Sequence, residues 1–209
     1  MSVDGVFLRL VPAVLISLMP LAGAAQEGPS FDCAMAAGAA EEAVCADPVL
    51  AGLDRALEAR YAAAMQAADR QDAGAEAAMA ELRATQRGWI KGRDACWKAG
   101  DPGACIAEAY RTRSAKLVAL WGLEPATGMT RWICGDSEAN EVITTYFATD
   151  PPSLRFEQGD AVDAGIQART ASGARYDGRA GRFIWMKGEA ATYRDAGADQ
   201  PEQGCRAAP

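Results

Sequence analysis

Histidine is absent from this 209-residue sequence, and aromatic residues make up only 7% of it. Without histidine the chain cannot form Ser-His-Asp or Cys-His nucleophile pairs, and it lacks the imidazole ligands that most catalytic zinc sites use. Any catalytic chemistry would therefore depend on carboxylate, lysine, serine, tyrosine or cysteine side chains.

The sequence also has fewer positive than negative residues, with 21 Lys and Arg against 28 Asp and Glu, for a net charge of -7. This balance argues against a nucleic-acid-binding protein and favours solubility or a basic protein partner. The hydrophobic content of 50% and the charged content of 23% are typical of a globular chain of one or two domains.

The N-terminal segment carries a long apolar run over residues 6–25. Pro12 and Pro20 interrupt the run, it is shorter than a comfortable membrane span, and it ends in the small residues of positions 22–25. We interpret residues 1–25 as a cleaved signal peptide rather than a membrane anchor, and since no cysteine follows Gly23 we expect no lipid attachment there. The mature protein is then expected to be periplasmic or secreted.

The six cysteines form an even set without any C-x-x-C pair. In an oxidising compartment this pattern favours three disulfides over a metal site, and we expect neither a metal nor a cofactor. The cysteines lie at Cys33, Cys45, Cys96, Cys105, Cys134 and Cys205.

Residues 26–124 are rich in alanine and poor in proline, which predicts a helical domain. Asp47-Pro48 and Asp101-Pro102 each place a capping carboxylate before a proline at the first helical position, so each predicts a helix start. Apolar residues then recur at steps of three or four, which predicts three substantial helices and a short one near residues 39–45. The periodic positions include Leu50, Leu53, Leu57, Tyr61, Met79, Leu82, Trp89, Ile90, Trp97, Ile106, Tyr110 and Leu117.

Within this half we predict a Cys96–Cys105 disulfide, because it would join the end of one helix to the first turn of the next. A Cys33–Cys45 bridge requires the chain to fold back near Gly38, since the two residues would lie about 18 Å apart along one helix. A bridge from Cys33 to Cys96 or Cys105 stays open as the alternative.

The composition changes after residue 124. Short runs rich in β-branched and aromatic residues appear between Gly, Asp and Pro breaks, at positions 129–134, 141–147, 153–156 and 182–186. We therefore predict an α+β protein of two domains, a disulfide-stapled helical domain over residues 26–124 and an antiparallel β domain over residues 125–209. A Cys134–Cys205 bridge would close the second domain.

Two motifs in the second domain are specific. The stretch from Ser172 to Tyr176 reads Ser-Gly-x-x-Tyr, and a predicted strand ends in Lys187-Gly188. This pair resembles the MliC/PliC family of c-type lysozyme inhibitors over roughly residues 129–206. The resemblance implies a small eight-stranded antiparallel barrel that binds lysozyme through Ser172, Gly173, Tyr176, Lys187 and Gly188. Met186 departs from the family pattern, which often has Thr or Ser before the lysine.

The helical half resembles a second family. Its pattern includes Cys33, Leu53-Asp54, Gln86-x-x-Trp89-x-x-x-Arg93-Asp94-x-Cys96 and Tyr110-x-x-Arg113. It is similar to the LprI-type helical domain of secreted bacterial proteins, some of which inhibit lysozyme. From the residues alone we read Arg93 and Asp94 as a surface or capping pair.

We therefore expect an exported inhibitor that plugs the active-site cleft of c-type lysozyme. The Lys187 ammonium would pair with the charged catalytic carboxylate of the lysozyme, and the Ser172 hydroxyl would contact its other catalytic carboxyl group. An enzyme using Ser172 and Lys187 is disfavoured, because the sequence has neither Ser-x-x-Lys spacing nor a Gly-x-Ser-x-Gly elbow. The alternative is a cell-envelope or peptidoglycan-associated binding protein without inhibitory activity. Without the resemblance, Ser172-Gly173 would be a simple turn and Lys187-Gly188 a solvated hairpin tip.

Overall fold

The computed structural model describes residues 28–197 and 199–208. The predicted signal peptide, residues 1–25, lies outside these residues. Helices make up the N-terminal part and a closed antiparallel β-barrel makes up the C-terminal part, which confirms the predicted fold class.

Four α-helices fold the N-terminal part: α1 (Ala39–Ala46), α2 (Pro48–Asp69), α3 (Ala75–Asp94) and α4 (Pro102–Trp121). The two predicted capping pairs begin α2 and α4. Asp47 accepts a hydrogen bond from the Val49 N–H at 2.7 Å, and Asp101 accepts one from the Ala104 N–H at 3.0 Å. Each carboxylate thus satisfies an orphan donor of the first helical turn, while the proline beside it needs none.

Two disulfides fasten the helices. The first joins Cys33, in a short 3-10 turn, to Cys45 near the end of α1, and the chain folds back between them at Gly38. The second joins Cys96, in a 3-10 turn after α3, to Cys105 in the first turn of α4. Both are the pairs predicted from the sequence.

A buried polar network crosses the helical core. The Tyr110 hydroxyl donates to Asp54 at 2.9 Å and accepts from Arg93 at 3.0 Å, and Arg93 also forms an ion pair with Asp94 at 2.7 Å. Arg93 is only 5% exposed, so the reading of Arg93 and Asp94 as a surface pair is wrong for the arginine. Burial raises the pKa of Tyr110 well above its ordinary value, which keeps this hydroxyl neutral.

Two of the predicted periodic positions do not face the helical core. Trp97 is 65% exposed and lies in the 3-10 turn after α3, and Ile90 lies at the exposed side of α3. Helix α3 ends at Asp94, so the predicted helical periodicity does not extend to Trp97.

Eight strands in sequence order form the barrel, each antiparallel to its neighbours. They are β1 (Gly128–Cys134), β2 (Glu141–Phe147), β3 (Ser153–Gln158), β4 (Ala161–Ala168), β5 (Ala174–Asp177), β6 (Phe183–Lys187), β7 (Ala190–Arg194) and β8 (Glu202–Ala208). The first and last strands pair, and Cys134 and Cys205 lie directly opposite each other in that pair and form the third disulfide. This bridge was also predicted.

Helix α4 packs against the barrel. Val118 and Ala119 of α4 form an apolar cluster with Phe147 of β2 and Ala164 of β4, and all four are 5% exposed or less. The last helix is therefore part of both the helical core and the contact with the barrel.

Within the described part of the chain, no helix combines the length and the apolar character needed to cross a membrane.

Candidate functional site

The two sequence motifs meet at one end of the barrel. Residues 169–173 connect β4 to β5, and Gly188-Glu189 connect β6 to β7. Because β5 pairs with β6, with Ala174 opposite Met186, the end of the first connection lies beside the start of the second. We call these two connections the paired loops.

Gly173 allows the first of the paired loops to lie against the backbone of β6. Its φ is +72°, in the left-handed region, and a Cβ built there would lie 2.3 Å from the Met186 carbonyl oxygen and 3.0 Å from Cγ of Lys187. Real side chains do not approach a backbone oxygen this closely, so only glycine fits against the β6 backbone here. The lysine stem thus lies against the glycine that follows Ser172.

Trp185 fastens the first of the paired loops. Its indole Nε1–H donates to the Ser172 carbonyl oxygen at 2.9 Å, and the Thr170 hydroxyl donates to the Gly173 carbonyl oxygen at 3.1 Å. These bonds use the backbone of Ser172 and leave its side chain exposed. The serine hydroxyl is therefore presented on a loop whose backbone is held from β6.

Lys187 is held from the same tryptophan. Its Nζ lies 4.0 Å from the Trp185 ring centroid, a cation–π contact, because residues 185 and 187 point to the same face of β6. Among residues 28–197 and 199–208 it forms no ion pair with a carboxylate. Its ammonium group is exposed and its stem is restrained, which suits a group that must meet an external anion.

Gly188 begins the tight turn after Lys187. Lys187 pairs with Ala190 across this two-residue hairpin loop, and Gly188 has a φ of +65° with open space around it. Glycine at such a position is typical of two-residue hairpin turns, and it places Lys187 at the last paired position of β6.

Tyr176 has a different placement from the other predicted site residues. Its side chain is buried, tilted against Tyr146 at a centroid distance of 6.3 Å, and burial raises its pKa. Met186 also points inward, where its sulfur accepts a hydrogen bond from the Tyr146 hydroxyl at 3.1 Å. These two side chains support the paired loops from inside the barrel.

Two further residues belong to this end of the barrel. Trp185 donates a hydrogen bond to one paired loop and stacks under Lys187. Arg169, at the start of the first loop, is exposed and forms no ion pair within the described ranges. By contrast, the Arg175 guanidinium is paired with Asp177 at 2.8 Å. Nothing in the spacing of the motifs singled out Arg169.

Two stretches of this sequence, one in the helical part and one in the barrel, match families of lysozyme inhibitors. Residues 33–120 match the family described as lysozyme inhibitor LprI. Residues 132–201 match the family described as membrane-bound lysozyme-inhibitor of c-type lysozyme, MliC, as the two motifs indicated.

Curated relatives agree with the first match. Proteins named lipoprotein LprI from Mycobacterium bovis and Mycobacterium tuberculosis are 35% identical over 162 residues, covering 76% of this chain and 75% of the relatives. The chain belongs to the LprI family. An uncharacterized protein from Rhizobium meliloti is 34% identical over 128 residues, covering 52% of this chain and 92% of that protein. No solved structure matches the chain significantly.

Both families are inhibitor families, and they support lysozyme inhibition in general and c-type lysozyme as the partner.

Proposed function

We propose that the barrel end formed by the paired loops blocks the active-site cleft of a c-type lysozyme. The observation that carries this proposal is the placement of Ser172 on the first paired loop and of Lys187 at the adjacent end of β6, both exposed and both in contact with Trp185. Such a restrained pair loses little side-chain entropy when it enters a cleft.

The chemistry of the two side chains fits the chemistry of the cleft. A lysozyme uses two carboxyl groups, one that donates a proton and one that stays ionised. The Lys187 ammonium would pair with the ionised carboxylate, and the Ser172 hydroxyl would hydrogen-bond to the other. Tyr176 would act indirectly, by supporting the loops from the barrel interior.

The remaining charges support the same partner. The net charge of -7 attracts a strongly basic enzyme over long range and raises the association rate. Lys187 is the only lysine after position 116, so the barrel offers a single ammonium group, and it lies at the end of β6 beside the paired loops. The acidic chain would bring the two proteins together, and the local cations would select the acidic cleft.

The test is lysis of a Gram-positive cell-wall suspension by a c-type lysozyme, with and without the purified chain. We expect lysis to stop at stoichiometric inhibitor. We also expect tri-N-acetylchitotriose, which occupies the lysozyme cleft, to compete with the inhibitor for binding. Inhibition without such competition would contradict a plug in the cleft and would place the inhibitory contact elsewhere.

A parallel measurement tests the alternative of a peptidoglycan-associated protein. Under our proposal, lysozyme bound by the chain does not sediment with insoluble peptidoglycan, because the blocked cleft cannot hold the glycan. Sedimentation of the chain with peptidoglycan alone, together with unimpaired lysis, would favour the envelope-binding alternative.

A further inference from the structure

A second concave site lies between the helices and the barrel, separate from the paired loops. A cavity of about 900 Å³ is lined by residues of α2, α3 and α4 and by residues of β3, β4 and the turn after β5. This volume falls within the range of small-molecule sites, which often occur at interfaces between structural units. Neither of the paired loops contributes to it.

Two residues of the cavity lining carry buried hydrogen-bond donors without acceptors. The Trp121 Nε1–H and the Arg155 Nε–H are buried, and neither has a hydrogen-bond partner among the described residues. Buried donors without acceptors are uncommon, and each costs free energy unless something satisfies it. Trp121 is on α4 and Arg155 is on β3, and the Arg155 guanidinium forms an ion pair with Glu157 at 3.1 Å through its Nη2. The unpartnered indole N–H of Trp121 indicates a missing acceptor on the α4 side of the cavity.

Arg113 adds a buried positive charge to the same wall. It is 7% exposed, its Nε donates to the Gln86 side-chain oxygen at 2.9 Å, and its Nη2 donates to the Thr85 hydroxyl at 3.1 Å. Both partners are neutral, and no carboxylate pairs with Arg113 in the described ranges. Burial lowers its pKa, as expected for a cation without a counter-ion.

The lining includes three carboxylates, and none of them forms an ion pair with Arg113 in the described ranges: Asp160 forms no ion pair there, and the other two have other partners. Asp163 faces Arg182 at 3.7 Å, and Glu81 lies 3.9 Å from Arg179. Lys116 lines the cavity next to Arg113 and has no ion pair in the described part of the chain. The cavity therefore has an excess of donors and positive charge at its α4 wall.

The rest of the lining mixes polar and apolar groups. Thr112 and Gln71 offer hydrogen bonds, whereas Leu82, Leu120 and Val162 offer apolar surface. A ligand with several hydroxyl groups, apolar C–H faces and one acidic group matches this mixture better than a hydrocarbon chain or a free inorganic anion would.

We propose that this cavity binds an acidic sugar, with its carboxylate on Arg113 and an oxygen acceptor on the Trp121 indole N–H. The inference does not depend on the lysozyme-binding role of the paired loops. It gives the chain a second binding activity at the junction of its two parts.

The test is a titration of the full mature chain, followed by the indole N–H resonance of Trp121 in ¹H–¹⁵N correlation spectra. The probes are N-acetylmuramic acid and N-acetylglucosamine, which share the sugar ring and differ by the carboxylate-bearing lactyl group. We expect the resonance to shift with the acidic sugar at millimolar concentration and to stay in place with the neutral one.

Variants connect the signal to the cavity. Arg113→Met should weaken binding about tenfold or more, because it removes a charge-assisted contact. Arg87→Met, the same change at an exposed arginine outside the cavity, should leave binding unchanged. Trp121→Phe keeps an aromatic ring and removes the indole N–H. Because this variant has no indole signal, its binding of the acidic sugar is followed by the amide resonances of Thr112 and Ala164. We expect it to bind the sugar about fivefold more weakly than the wild type.

Three results would overturn the proposal. They are the absence of any shift with the acidic sugar, equal binding of the two sugars, and unchanged binding by a folded Arg113→Met or Trp121→Phe variant. If Arg113→Met fails to fold, Trp121→Phe and the comparison of the two sugars still decide the matter.

Discussion

A Cβ at Gly173 would lie 2.3 Å from the Met186 carbonyl oxygen, so the first paired loop lies against the β6 backbone at a point where no side chain fits. Gly188, in the neighbouring loop, has a similar positive φ but open space around it. Comparing the two glycines therefore distinguishes the effect of the steric contact, present only at Gly173, from the effect of a positive φ, present at both.

We predict that Gly173→Ala impairs lysozyme inhibition far more than Gly188→Ala does. Both variants carry the left-handed strain of alanine, about 1 kcal/mol. Only the first must also push the loop away from β6, which breaks the Trp185 bond to Ser172. Inhibition constants and urea unfolding of both variants check this, and equal effects would mean that the contact at Gly173 does not position the site.

Tyr110 links Asp54 and Arg93 in the helical core. Tyr110→Phe should lower the free energy of unfolding by about 1–3 kcal/mol, because it leaves buried polar partners without the hydroxyl. Tyr61→Phe is the control, since Tyr61 forms no hydrogen bond in the described part of the chain. Chemical denaturation measures both, and an equal effect in the two variants would show that the network does not stabilise the helices.

Acid should weaken the barrel through Asp195. Although burial acts to raise its pKa, the hydrogen bond from the nearly buried Arg182, at 3.0 Å, holds the pKa of this carboxyl below its ordinary value. A depressed pKa in the folded state means that the stabilisation is present above the ordinary carboxyl pKa, about 4, and is lost as the pH falls further.

Replacing the carboxyl should remove this pH dependence. We expect Asp195→Asn to be less stable than the wild type at neutral pH and to lose less stability between about pH 5 and pH 2. Urea denaturation across this range measures the difference. Parallel pH curves for the two proteins would show that this carboxyl does not contribute to acid unfolding.

The barrel is expected to work without the helices. We propose that a fragment of residues 125–209 folds as an all-β protein and retains inhibition, since it contains the paired loops and the Cys134–Cys205 bridge. It should be less stable than the barrel in the whole chain, because Phe147 and Ala164 lose their contacts with α4. A folded fragment without activity would assign the inhibition to the helical half or to the two parts together.

Sequence reasoning recovered the elements whose signals are local. The Asp-Pro pairs mark the starts of α2 and α4, and the run at 141–147 matches β2. It missed β4, β5, β7 and β8, which have few β-branched residues. Their pairing depends on neighbouring strands rather than on intrinsic propensity.

In the candidate site, too, the sequence predicted the residues with a local motif and missed those whose role depends on strand pairing. The motifs named Ser172 and Lys187, but the role of Trp185 between them requires the strand register that places residues 185 and 187 on one face. Arg93 was misplaced because an Arg-Asp pair reads as a surface feature until Tyr110 and Asp54 are brought beside it. The cavity beside α4 has no local signal, since six separate elements form its wall.

The most direct measurement is the affinity of lysozyme for the Ser172→Ala, Lys187→Ala and doubly substituted proteins, obtained from association and dissociation rates. Circular dichroism checks that each variant is folded. Lys187→Ala should cost about 2–5 kcal/mol, mostly through faster dissociation, because it leaves a buried carboxylate unpaired. Ser172→Ala should cost about 1–2 kcal/mol. Lys98→Ala is the matched control, because its Nζ also lies over a tryptophan ring, at 5.3 Å from Trp97, in the helical half. We predict wild-type affinity for Lys98→Ala and severe loss for the double variant; wild-type affinity in a well-folded double variant would contradict the account.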